Sequence, residues 1–268
     1  MAAPLPDPAA DARCEAFRVT MEGGETDQVR LRRFLRWLPT DPRCKACNAP
    51  FGMPGSLVSR SMGRRRWAKN PRFCDRCYTW LRDYGLSGVE ITVTLLFADV
   101  RDSTTLAEQV GPAEFRTRIN RFYRIASDAL LRTDGLVDKF IGDGVMGMYI
   151  PGMSGIDHAA KGIEAARRIL DRVAAAPEAE WLPVGVGVHT GTAFVGAVGH
   201  AAEVEDFTAL GDAVNTTARL ASVAGSGEAL ISVEAAAAAN LAIVGLEQRH
   251  LEVKGRTQPV DVVVLRAT

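Results

Sequence analysis

The chain has 268 residues, 47% of them apolar and 24% charged, which is ordinary globular composition and enough for one large domain plus a small module. No apolar run approaches the ~18 residues of a membrane span. The start MAAPLPDPAADAR lacks the basic-then-apolar order of a secretory leader, so a soluble, cytoplasmic protein is expected. Net charge is zero, but residues 28–82 carry 14 Lys/Arg against 2 Asp/Glu and four of the five cysteines, leaving the rest of the chain acidic.

Residues 1–26, rich in Ala, Pro and acidic side chains, read as a poorly ordered tail. Residues 27–38 place Val29, Leu31, Phe34, Leu35 and Leu38 on one helical stripe that Pro39 ends. The cysteine region and a short linker follow, so that residues 27–90 form a helix and a small module. From residue 91 the texture becomes strand–helix. ITVTLLFADV is a strand. Residues 103–133 are one or two amphipathic helices, and GLVDKFIGDGVMGMYI is strand, turn, strand. Residues 156–174 are helical, and LPVGVGVHTGTAFVGAVG is expected to be a strand pair with glycines at its bend. Residues 212–224 are a helix, ALISVEAAAAA a strand then a helix, and HLEVKGRTQPVDVVVLRA a closing hairpin. The alanine runs at 173–176 and 235–239 read as solvated helix. This order suits a ferredoxin-like α+β core.

Two acidic residues stand out. Asp99 ends the first strand, and Asp143 sits between Gly142 and Gly144 in the next hairpin turn. Carboxylates at the ends of neighbouring strands can approach closely and hold Mg2+ or Mn2+. Taken singly, they also fit a strand-end cap and a turn residue. Ser103 and Thr104 begin the following helix, whose first amides suit a phosphate. Asp102 reads as a solvent-facing turn residue. In TALGDAVNTTARL, Asn215 and Arg219 lie four apart on one helical face, an amide and a guanidinium able to hold a sugar oxygen and a phosphate.

The cysteines form Cys44-x2-Cys47 and Cys74-x2-Cys77 within the near repeats DPRCKAC and NPRFCDRC. Paired CxxC knuckles suit tetrahedral thiolate coordination of zinc, and four thiolates also hold a [2Fe–2S] cluster. Cys14 stands alone. Between the knuckles, Arg60, Arg64, Arg65, Arg66, Lys69 and Arg72 with Trp67 form a basic-aromatic loop. It could meet nucleic acid, but no motif of defined groove geometry accompanies it. Docking on the acidic part of the chain is the favoured reading.

FADVRDST, DKFIGDGVMGMY and TALGDAVNTTARL, in this order and at these separations, resemble the catalytic domain of class III nucleotidyl cyclases over residues 91–268. The resemblance implies a central, mostly antiparallel sheet with flanking helices, preceded here by the small cysteine metal-binding module. It implies head-to-tail homodimers with composite sites; that no membrane is a partner is expected from the absence of an apolar span. Asp99 and Asp143 would hold two Mg2+ or Mn2+ ions per site. Asn215 of the other subunit would orient the ribose, and Arg219 would stabilise the α-phosphate, while the general-base role stays unassigned. Lys139 and Thr208 match the base-recognition positions. Lysine only donates, which fits adenine N1, and a threonine hydroxyl can accept from the adenine amine, so ATP is the expected substrate. Asp206, two residues before Thr208, is the runner-up. Lys254 resembles the lysine that meets the terminal phosphates. The expected product is 3′,5′-cyclic AMP, with the cysteine module regulating dimer geometry. The competing readings are a silent nucleotide sensor, a nucleic-acid-binding zinc protein that dimerises through the domain, and a pyrimidine-nucleotide cyclase.

Overall fold

The apolar run ITVTLLFADV lies within strand β1 (Val89–Val100), whose burial alternates at its start and becomes nearly continuous after Val93, as expected of a central strand covered on both faces. The computed structural model describes residues 8–23, 27–86, 88–177, 182–199, 203–252 and 259–267. They divide into two compact units: Met1–Ile91 with Pro151–Ile156 and Ala193–Leu210, and Thr92–Ile150 with Asp157–Thr192 and Gly211–Thr268.

In the second unit, β1 leads through helices α5 (Ser103–Val110) and α6 (Pro112–Arg132) to the hairpin β2 (Leu136–Ile141) and β3 (Gly144–Tyr149). Helix α8 (His158–Ala174) precedes β4 (Val184–Val198), helix α9 (Asp212–Val223) precedes β6 (Glu228–Ser232), and helix α10 (Val233–Ala238) precedes the pair β7 (Gln248–Leu251) and β8 (Val260–Arg266). The strand order is β2-β3-β1-β4-β6-β8-β7. Its first four strands have the ferredoxin-like arrangement. β1 runs antiparallel to β3, β8 antiparallel to β6, and β6 parallel to β4. The core is built by the stripes of α6 and α8 against this sheet, with Phe122, Ile125, Leu130, Ile163, Ile169 and Leu170 buried.

One open alternative is resolved here and two expectations change. The segment 103–133 is two helices, because Gly111 at φ +79° breaks the run and Pro112 starts the second helix. The alanine run at 235–239 is not all solvated: Ala235 and Ala236 are buried in the core, and Ser232 caps α10 by accepting from the Ala235 amide at 3.2 Å. The expected strand pair at 182–199 is one continuous strand, β4. Its glycines serve close approach rather than a bend. A Cβ on Gly187 would sit 2.5 Å from Ala221 N and 2.6 Å from Thr217 O, and one on Gly185 would sit 2.9 Å from Ala224 O. The backbone of α9 thus rests directly on β4.

The first unit holds the N-terminal segment and the cysteine region. Residues 8–22, expected to be poorly ordered, form helix α1 (Pro8–Glu22), in which Phe17 and Met21 are fully buried. Their one-turn spacing gives the helix an apolar seam that the Ala/Pro-rich composition hides. Helix α2 (Asp27–Trp37) buries Val29 and Leu35 of the expected stripe and also Arg32, whereas Phe34, placed on that stripe, is exposed. Arg43 secures the C-terminal end of α2 by donating to the carbonyls of Leu35 at 3.0 Å and Leu38 at 2.6 Å. Short helices α3 (Gly55–Ser61) and α4 (Asp75–Trp80) follow, the latter continuing as one π-helical turn at Leu81–Gly85; α7 (Pro151–Ser154) lies in the same unit. The far half of β4 pairs antiparallel with β5 (Asp206–Leu210), placing Thr208 opposite Gly196.

Candidate active site and metal centre

Register places the two carboxylates. Asp99 on β1 is paired with Gly144 on β3, so Asp143 immediately precedes its cross-strand neighbour. Gly142 adopts φ +59° in the two-residue turn, a conformation that favours glycine. A Cβ on Gly144 would lie 3.2 Å from Asp99 Oδ1, so the glycine keeps that side of the carboxylate open. Burial, reinforced by the negative charge of Asp143, pushes the Asp99 carboxyl above its ordinary value, while Arg101 pulls in the opposite direction. Two mutually repelling, partly buried carboxylates at adjoining strand ends form a donor set suited to a hard divalent cation.

Two neighbours absent from the sequence reading hold this pair. Arg101 donates to Asp99 Oδ2 and also to the Ser222 carbonyl at the end of α9, at 2.5 Å. Tyr123 on α6 donates its hydroxyl to the Gly142 carbonyl, and its ring lies 4.4 Å from that of Phe140. The tip carrying Asp143 is therefore tied to α6. Burial and then Asp143 raise the Tyr123 pKa, consistent with the proximity of the carboxylate.

The other site residues are distributed as follows. Asp102, at φ +50°, is the N-cap residue of α5, so Ser103 is the first helical residue and Thr104 the second. Lys139 lies on β2 just after a register shift, 3.4 Å from the buried carboxylate of Asp138. Asn215 and Arg219 stand one turn apart on α9, exposed and half-exposed, and their side chains form no hydrogen bond or ion pair among the described residues. The helix starts after Gly211, as its sequence suggests. Thr208 is buried on β5 in the other unit. Lys254 lies outside the described residues. His189 is structural, buried in β4 with its Nδ1 2.8 Å from Ser232 Oγ.

The four knuckle cysteines come together: the Sγ atoms of Cys44, Cys47, Cys74 and Cys77 all lie within 4.8 Å of one another. Cys47 and Cys74 are 3.8 Å apart, and the Cys74 amide donates to Cys44 Sγ at 3.2 Å. Hydrogen bonds from neighbouring thiols lower Cys47 and Cys74, whereas burial raises Cys44 and the other thiols raise Cys77. Four thiols gathered this closely form a donor set that a thiophilic cation would complete. Arg64 points at it, 3.7 Å from Cys77 Sγ and 3.9 Å from Cys74 Sγ.

The basic loop is largely engaged within its own unit. Besides Arg64, Lys69 pairs with Glu203 at 3.1 Å, Arg72 with Asp206 at 3.1 Å, and Trp67 stacks on Tyr78 at 5.2 Å. No helix among the described residues is long and apolar enough to cross a membrane.

This strand order, with paired aspartates at the β1 end and the adjoining hairpin tip, is that of a nucleotide cyclase domain. The profile of the adenylate and guanylate cyclase catalytic domain matches residues 89–266, and the chain belongs to that family, the class III nucleotidyl cyclases. Adenylate cyclase 1 of Rhizobium meliloti is 35% identical over 134 residues, covering 48% of this chain and 20% of that protein. An adenylate cyclase of Anabaena cylindrica is 27% identical over 199 residues, covering 68% of this chain and 39% of that protein. The chain thus spans well under half the length of these curated relatives. Among solved structures, the adenylyl cyclase CyaB from P. aeruginosa aligns with TM-score 0.57 and 26% identity, covering 68% of this chain and 98% of that one. The guanylyl cyclase Cya2 aligns with TM-score 0.57 and 25% identity, covering 68% and 94%.

Proposed function

We propose that this chain is an adenylate cyclase that converts ATP to 3′,5′-cyclic AMP and pyrophosphate at the interface of a head-to-tail homodimer. The observation that carries the reading is the Asp99–Asp143 pair, aligned by the β1–β3 register within the segment that matches the family. Asp99 and Asp143 hold two Mg2+ or Mn2+ ions. When bound, these lower the pKa of the ribose 3′-hydroxyl and offset charge on the phosphates. The amides that begin α5, at Ser103 and Thr104, face a phosphate. Asn215 of the second subunit orients the ribose, and Arg219 stabilises charge on the α-phosphate as the 3′-oxygen attacks and pyrophosphate leaves. That neither side chain has a hydrogen-bond or ion-pair partner among the described residues supports their service to a site completed by another copy. Lys254 meets the terminal phosphates.

Lys139 and Thr208 select the base. The lysine donates to adenine N1 and the threonine hydroxyl accepts from the amine, whereas guanine turns its own N1–H donor toward the lysine and leaves that cation unpaired. The relatives named adenylate cyclase support this choice. In the cysteine module, two thiolates bound to one tetrahedral ion at ~2.3 Å lie about 3.8 Å apart. The Cys47–Cys74 separation of 3.8 Å, with all four sulfurs within 4.8 Å, favours a single zinc ion over a two-iron cluster, which spreads its thiolates across two metals.

The test is product analysis. Purified protein is incubated separately with ATP, GTP, CTP and UTP plus Mn2+ or Mg2+, and cyclic products are identified by mass spectrometry, with Asp143→Ala as control. Cyclic AMP from ATP, lost in the variant, is the expected result. A dominant product from GTP or a pyrimidine nucleotide would refute the base assignment. No product from any nucleotide would favour a silent sensor. Metal analysis expects about one zinc per chain, with the visible absorbance of an iron–sulfur cluster as the contrary result.

A further inference from the structure

Asp206 neighbours the base-recognition position, yet the structure gives it a different occupation. Its Oδ1 lies 2.6 Å from Lys45 Nζ and its Oδ2 lies 3.1 Å from an Arg72 guanidinium nitrogen. Lys45 and Asp206 are nearly buried, at 8% and 16% side-chain exposure, so this is an enclosed charge pair and not a surface contact. Lys45 is the second residue of the Cys44–Cys47 knuckle, and Arg72 stands two residues before Cys74. The two knuckles are themselves joined by the Lys45 amide donating to the Arg72 carbonyl at 2.8 Å. Both cations that hold Asp206 are therefore placed by the backbone that presents the four thiols.

The same module holds the rest of this segment. Asn70 donates to the carbonyls of Val204 at 3.0 Å and Glu205 at 2.8 Å. The Val204 amide donates to the Tyr78 hydroxyl at 3.3 Å. Phe207, fully buried, meets Phe17 edge-on at 6.5 Å, and Phe17 in turn contacts Trp80 at 5.1 Å. Opposite Thr208, Gly196 admits the end of the module so closely that a Cβ there would fall 2.7 Å from Gly88 Cα. The strand carrying Thr208 is thus held at its start, its core face and its paired neighbour by residues of the N-terminal segment.

We propose that the cysteine module is the positioning element of strand β5: metal bound by the four thiolates fixes the two knuckles, the knuckles fix the Lys45–Asp206–Arg72 clamp, and the clamp fixes Thr208. Asp206 is a positioning residue, not a contact to the base. The inference rests on the reading of Thr208 as a base contact, and it locates regulation in nucleotide selection where the sequence suggested dimer geometry. Loss of the metal loosens β5 and weakens discrimination for ATP, leaving the carboxylate pair on β1 and the adjoining hairpin untouched.

The experiment uses the full chain and two readouts. Hydrogen exchange followed by mass spectrometry reports peptides spanning 204–210, with and without zinc removal by a chelator under reducing conditions. Asp206→Asn, with zinc content verified as retained, is expected to raise exchange in that peptide about tenfold, as loss of a hydrogen-bonded charge pair does. Zinc removal is expected to do the same. KM for ATP should rise and the ATP:GTP preference fall, with kcat within about twofold, since ground- and transition-state contacts to the base are lost together. Arg72→Gln, at the more exposed arm, should give a smaller change, and Asp206→Glu should restore most of the protection. Exchange in 204–210 that ignores both Asp206→Asn and zinc removal overturns the proposal. So does altered exchange with unaltered KM and base preference. Altered exchange in a protein that cyclises no nucleotide leaves the metal-to-strand coupling standing and removes the cyclase reading instead.

Discussion

Tyr123→Phe isolates one hydrogen bond at the tip of the β2–β3 hairpin. The tyrosine hydroxyl donates to the Gly142 carbonyl, and the ring packs on Phe140 at 4.4 Å, so the phenylalanine variant keeps the aromatic contact and loses only the tether. A neutral hydrogen bond of this kind contributes about 1 kcal/mol, a factor of about five in the population of the tethered tip. Because Asp143 follows Gly142 directly, that factor should appear as about a fivefold weaker Mn2+ affinity. Tyr123→Ala also removes the ring pair, worth about another 1 kcal/mol, for a combined loss of about thirtyfold. Mn2+ binding by calorimetry and the Mn2+ dependence of cyclic product formation should rank the proteins wild type, Phe, Ala. The reasoning fails if the phenylalanine and alanine variants bind Mn2+ as wild type does while only their melting temperatures fall.

Other expectations follow from charge. Asp99 has a raised pKa, so the native state holds its proton more tightly than the unfolded chain. Metal-free stability should therefore decline as pH rises from the ordinary 3.8 through the raised value, and Asp143→Asn should flatten that decline in melting curves. Glu228 is the opposite case: hydrogen bonds from Arg249, aided by Arg266, hold its carboxyl down to about 2. Its stabilisation is present above the unfolded value of 4.5 and fades as pH falls toward 2, so Glu228→Gln should lower stability at neutral pH and remove that acid-side slope. If the module holds zinc as proposed, Arg64→Gln should release it to a colorimetric chelator about tenfold faster, as loss of an outer-shell partner does. Equal release rates would mean that the guanidinium contributes nothing to the thiolates.

The parts of the fold that were legible in the sequence are those where one residue pattern admits one packing solution. β1 and the adjoining hairpin, α9 and the terminal strand pair follow from apolar runs punctuated by glycine or capped by Gly211, and the cysteine cluster follows from its doubled knuckle. The glycines of β4 were misleading because a bend and a close helix contact ask for the same residue; only the nearness of Ala221 and Thr217 to Gly187 separates them. Helix α1 was hidden by composition, since two buried side chains, Phe17 and Met21, anchor an otherwise polar segment. Arg101, Tyr123 and Asp206 act through residues distant in sequence, which spacing cannot reveal. For Asp206 the sequence left a choice of register with Thr208, and the clamp from Lys45 and Arg72 shows what the aspartate itself contacts.

The meeting of α9 with β4 has a mechanical meaning. Where main chain rests on main chain, no side-chain rotamer lies between to take up a shift, and the interface has no soft coordinate. Asn215 and Arg219 ride on that helix, so the near half of β4 sets where their backbone stands. Sliding the helix along its bed would drive backbone into backbone, so the spacing of these two side chains from β4 is fixed by contact and not by packing that can be rearranged.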